Sequence, residues 1–120
     1  MSDQQLTDPK QRMKKRRSQR IELNVPVVVH RPAKDGPQFY ESTQTLVISA
    51  HGALMGLVDL VAPKQRLFMQ NVDSGEQQEC RVVYVEKPLM GPPRVAVEFT
   101  RPLASFWRIA FPPADWNACS

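Results

Sequence analysis

Arg16, Arg17 and Arg20 stand close together just ahead of a valine-rich run. Ser49 and Gly52 stand three apart in the stretch Val47-Ile48-Ser49-Ala50-His51-Gly52. Arginine presents a rigid fork of donors that meets an anion bidentately. Serine adds a hydroxyl, and glycine permits a sharp turn with close backbone approach. Together these residue types suit the gripping of an anion. They do not suit catalysis, because no nucleophile–base pair, carboxylate dyad or glycine-rich phosphate loop accompanies them. A metal site is not expected either, since His30, His51, Cys80 and Cys119 lack ligand spacing.

Charge supports the anion reading. Seven Lys/Arg and two Asp fall in residues 1–20, a net of +5, whereas the remaining hundred residues carry a net of −1. The basicity belongs to one arm, which points to an anionic partner met there. Residues 1–14 read as a flexible basic arm and residues 15–117 as one domain, a size at which a single core is feasible. Two cysteines make no disulfide framework and read as reduced thiols in a reducing compartment. The polar N-terminus is unlike a signal peptide, and the most apolar window, residues 45–62, is interrupted by Ser49, His51, two glycines and Asp59. The expectation is a cytoplasmic protein without a membrane span.

The positioning elements read as β structure. Val25, Val27 and Val29 alternate in the first run, and Val95, Val97 and Phe99 alternate inward against Arg94, Ala96 and Glu98 in the last. Cys80, Val82 and Tyr84 read as one inward face of another strand. Asp73-Ser74-Gly75 marks a hairpin, with Gly75 at positive φ. Six short strands with turns between them predict an all-β fold, a small six-stranded antiparallel barrel whose closure hides its edges. Residues 103–111 are expected to form a short helical turn that the following Pro-Pro-Ala-Asp-Trp ends. Phe106, Trp107, Phe111 and Trp116 make the segment 103–117 aromatic, as a cover for one barrel end or a docking surface for a protein partner.

Arg16-Arg17-Ser18-Gln19-Arg20 followed by the Ser49–Gly52 turn resembles the PilZ family. Its signature is an RxxxR pair before the first strand and a later D/N-x-S-x-x-G turn. Arg94–Phe99 is similar to the family's late strand, and the likeness covers about residues 15–102. The resemblance implies a PilZ-like β-barrel that binds cyclic di-GMP, a bacterial second messenger, without a cofactor. Arg16 and Arg20 would clamp phosphate and guanine, and Arg17 would add a phosphate contact. Ser49 would hydrogen-bond from the turn, and Gly52 would let the backbone approach. Signalling would then pass to a separate, unknown protein partner.

Val47 departs from this pattern, since the family has Asp or Asn there. A lost hydrogen bond to a charged group costs about 1.5–3 kcal/mol, roughly 10- to 150-fold in affinity. In an extended segment Thr45 shares a face with Val47 and Ser49, so Thr45, or His51 in the turn, is a candidate substitute. The alternative function is a degenerate adaptor acting through protein contacts alone. Nucleic-acid binding by the basic arm fits less well, because the body is slightly acidic and no strand interleaves exposed aromatic and basic residues. Val47→Asp tests the departure. A gain in affinity means that the contact is missing; no gain means that it is supplied otherwise or that the site is unused.

Overall fold

Alternation between buried and exposed residues builds the wall of the fold. The structure, a computed structural model, describes residues 19–59, 61–109 and 112–117. The strands are β1 (Ile21–Glu22), β2 (Pro26–His30), β3 (Tyr40–Ser49), β4 (Gly52–Gly56), β5 (Arg66–Asn71), β6 (Gln77–Glu86) and β7 (Arg94–Phe99). They form one antiparallel sheet in the order β1-β3-β2-β5-β6-β7-β4. Pairing of β4 back onto β3 closes six of them into a barrel. Closure leaves few free edges for a stray chain to pair with. The expected six-stranded antiparallel barrel is therefore present, with β1 as one additional short strand.

The inward faces match the alternation in the sequence. Val25, Val27 and Val29 are buried, as are Val95, Val97 and Phe99, together with Ile48, Met55, Leu67, Met69, Cys80 and Val82. Gly75 takes φ +79° in the β5–β6 hairpin, as Asp-Ser-Gly predicts.

The break between β1 and β2 is sealed by one side chain. The Thr45 hydroxyl accepts from the Val25 amide at 2.8 Å and donates to the Leu23 carbonyl at 2.7 Å. The Asn24 side-chain amide donates to the Thr45 carbonyl at 2.7 Å. Thr45 is fully buried, so its hydroxyl satisfies the buried Val25 amide, which water does not serve, and ties in the part-buried Leu23 carbonyl.

Two β-bulges overturn two expectations. The β3–β4 register shifts between Thr45 and Val47. An extra residue in one strand turns the following side chains to the other face. Thr45 therefore points into the barrel while Val47 and Ser49 point out, and Thr45 does not share their face. A second shift lies between Val82 and Tyr84. Cys80 and Val82 line the core, but Tyr84 is 49% exposed and Val85 packs inward instead.

The C-terminal segment closes one end. A single 3-10 turn, Ala104–Trp107, ends at Arg108 in a left-handed conformation. Phe99, Phe106 and Trp107 pack with ring centroids 4.9–5.7 Å apart, mostly edge to face. Pro112 and Pro113 lead into α1 (Ala114–Asn117), so Ala-Asp-Trp-Asn forms a short helical turn of its own instead of merely ending one. Phe106, Trp107 and Trp116 are buried; the aromatic segment is a cover, and these rings offer no docking surface. Phe111, Cys119, Arg16, Arg17 and the arm 1–14 lie outside the described residues.

Three outcomes test this account. Thr45→Val keeps the shape but leaves the Val25 amide and Leu23 carbonyl unpaired, and should cost about 1–3 kcal/mol in denaturant unfolding. Burial, with a smaller effect from the Glu79 charge, pushes the Cys80 thiol up to about 12. In a Cys119→Ser background, Cys80 should resist a thiol reagent at pH 8 until the chain is unfolded. The sign of the linkage follows: the unfolded thiol ionises first, so stability should fall as pH rises from the ordinary thiol range toward 12.

Candidate functional site

The turn at Ala50 and His51 joins β3 to β4, and three consecutive carbonyls there are held from elsewhere in the chain. Ser49 O accepts from Trp107 Nε1 at 2.8 Å, Ala50 O from the Leu103 amide at 3.2 Å, and His51 O from the Phe99 amide at 2.6 Å. Inside the turn, Ser49 Oγ accepts from the His51 amide at 3.2 Å, a local arrangement that serine favours.

Gly52 follows directly. A Cβ there would fall well inside contact distance of the Val97 carbonyl and press on the Glu98 backbone. The close approach of β7, not a positive φ, is what requires glycine at this position.

Arg20 arrives from the other side. The Gln19 amide donates to Asp115 Oδ2 at 2.9 Å, and Gln19 O accepts from Trp116 Nε1 at 2.8 Å. β1 then pairs with β3, Ile21 opposite Ile48 and Glu22 opposite Val47. The root of the basic arm is thus fixed to α1 on one side and to the outer end of β3 on the other.

These anchors border an open groove of about 360 Å³ on the outer wall of the barrel, within the size range of small-molecule sites. Arg20, Val47, Ser49, His51 and Gly52 all line it. Of the residues expected at the site, the structure brings these five together and sends Thr45 to the core; Arg16 and Arg17 fall outside the described residues. The groove also contains Leu54, Val83, Tyr84, Ala96 and Glu98, which the motif analysis missed. Alternation in Arg94–Phe99 already placed Ala96 and Glu98 outward. Their position beside Gly52 needed the strand register, and Tyr84 needed the bulge.

A second concavity lies around His30, Tyr40 and Phe68, neighbours across β3, β2 and β5. Tyr40 stacks on His30 at 5.0 Å. The arginines at its rim are engaged: Arg66 pairs with Asp35 at 3.2 Å, and Arg31 lies over Phe39 at 4.8 Å. Desolvation lowers the His30 pKa, which favours the neutral ring. This face has less to offer an anion than the groove at Arg20.

Among the described residues, no group of three His, Cys, Asp or Glu could hold a metal ion. No helix among them is long and apolar enough to cross a membrane.

No family model matches the chain, and no curated protein matches it. A solved structure does: the Bacillus subtilis inhibitor of motility MotI/DgrA, at a TM-score of 0.54 and 18% identity over 87% of this chain. The chain spans about half of that protein, 47% of its length. At this identity the likeness speaks to fold alone, and it agrees with the six-stranded antiparallel barrel.

Trp107→Phe tests the anchoring of the turn. It keeps most of the packing but leaves Ser49 O without its donor, and should destabilise the protein by about 1–3 kcal/mol in denaturant titration.

Proposed function

We propose that the protein is a cyclic di-GMP receptor module, acting by binding and not by catalysis, with its output passed to a separate protein. The observation that carries this reading is the convergence of Arg20 with the distant Ser49–Gly52 turn on one groove of the outer wall. Arg16 and Arg17 precede Arg20 by four and three residues, and Arg20 itself lines the groove. In this reading the arginines hold phosphate and guanine, the Ser49 turn contributes polar groups, and Gly52 keeps the floor open. An arm that orders over a rigid barrel pays for only a few residues of lost entropy. A regulator without catalysis agrees with the fold's likeness to an inhibitor of motility, and the cytoplasm is the compartment expected for it.

The second reading is an adaptor that works without nucleotide. Val47 favours it, because an apolar side chain lines the groove where the family motif carries an acceptor.

Calorimetric titration of the whole chain separates the two. Cyclic di-GMP should bind saturably, while GTP and a short DNA duplex should not, at low and moderate salt. Arg20→Ala and Arg16→Ala should each weaken binding by about 10- to 150-fold, the worth of a charge-assisted hydrogen bond. Silence with cyclic di-GMP leaves the adaptor. Salt-sensitive binding to every polyanion reduces the arm to a basic tail.

A further inference from the structure

The register of β3, β4, β7 and β6 sorts the outer wall into two rows. In the first, Ser49 lies opposite Gly52, Gly52 opposite Glu98, and Glu98 opposite Arg81. In the second, Val47 lies opposite Leu54, Leu54 opposite Ala96, and Ala96 opposite Tyr84. One row is polar, and the other is apolar from Val47 to Tyr84, with the exposed Glu22 of β1 beside Val47. Because Gly52 has no side chain, Ser49 and Glu98 face each other across two strand spacings, roughly 9.5 Å. Continuing the β1–β3 register by one residue sets Arg20 beside Ser49. Read across the wall, the polar row runs cation, hydroxyl, gap, carboxylate, with the Arg81 cation beyond it on β6.

That order constrains what can lie there. Arg81 does not line the groove, and a carboxylate disfavours a second anion beside it, so phosphate belongs at the Arg20 end. At the other end Glu98 is an acceptor without donors of its own. The Watson–Crick edge of guanine carries two adjacent donors, N1–H and the N2 amino group, which a carboxylate accepts as a pair. Adenine presents an acceptor at N1 and cannot do the same. The apolar row supplies a surface for the base, ending in the half-exposed ring of Tyr84.

We infer that Glu98 selects guanine in this groove, with the base resting against Tyr84 and the phosphates lying toward Arg20. The inference rests on the cyclic di-GMP reading and names the residue that does what Val47 cannot, from the strand on the far side of β4. Glu98 also has a protein contact. A carboxylate has about four lone-pair sites, so a base can donate beside an existing partner.

The test is calorimetry with cyclic di-GMP and cyclic di-AMP on the whole chain, with a thermal melt of each variant. The wild type should prefer cyclic di-GMP. Glu98→Ala should weaken cyclic di-GMP binding about 10- to 150-fold and leave cyclic di-AMP unchanged, so that the preference collapses. Where that variant is too unstable to titrate, Glu98→Gln keeps the volume and should show the same loss of preference. Arg81→Ala removes the cross-strand charge opposite Glu98 and should leave the preference intact, which separates base reading from sheet pairing. Val47→Asp should recover part of the affinity lost in Glu98→Ala. A folded Glu98 variant with unchanged guanine preference overturns the inference and leaves the receptor reading standing. Failure of the wild type to bind cyclic di-GMP overturns both.

Discussion

The structure depends on a single mechanical fact: residues 99–116 hold both halves of the groove. Three successive carbonyls of the Ser49–His51 turn take donors from Phe99, Leu103 and Trp107, while Asp115 and Trp116 hold Gln19 by its amide and carbonyl. The turn is two residues between strands, and β1 is two residues long. Both acquire fixed positions because the tail is anchored by burial of Phe106, Trp107 and Trp116, three large rings whose transfer from water is strongly favourable. The hydrophobic closure of the barrel end and the geometry of the groove are thus one arrangement.

The two bulges decide what the groove is made of. Without the irregularity between Thr45 and Val47, the outward face of β3 would carry Thr45 and Val47 together, and nothing would seal the β1–β2 break. With it, a buried hydroxyl closes the break and the outer face keeps Val47 and Ser49. The bulge on β6 likewise turns Tyr84 outward, where a strictly alternating strand would have packed it beside Cys80 and Val82. Bulges re-aim side chains without changing the strand count, and here one re-aims a hydroxyl inward and the other a phenol outward.

These features also explain what was legible in the sequence. Alternation of valines fixed the inward faces of β2 and β7, and Asp-Ser-Gly fixed the hairpin at Gly75, because both are local signals with a period or a turn chemistry of their own. Order and spacing marked Arg20, Ser49 and Gly52 as candidates, and these three line one groove. Thr45 and Tyr84 were misassigned because a bulge leaves no mark in residue type when both neighbours tolerate either face. The groove partners Leu54, Val83 and Ala96 were missed because register is a long-range property, set by closure and by contacts far away in the chain.

The residues of the groove do not all bear equally on function. Gly52 is required by the Val97 carbonyl whether or not anything binds. Ser49 Oγ is already used by the His51 amide, and Thr45 belongs to the barrel wall. Each would be retained by selection for folding alone. Arg20 is different: it is exposed, and among the described residues its guanidinium makes no ion pair or hydrogen bond. An exposed arginine contributes little to stability when it has no partner. A charge placed by two hydrogen bonds at the Gln19 backbone, yet unused by the barrel it borders, is where binding and folding can be separated.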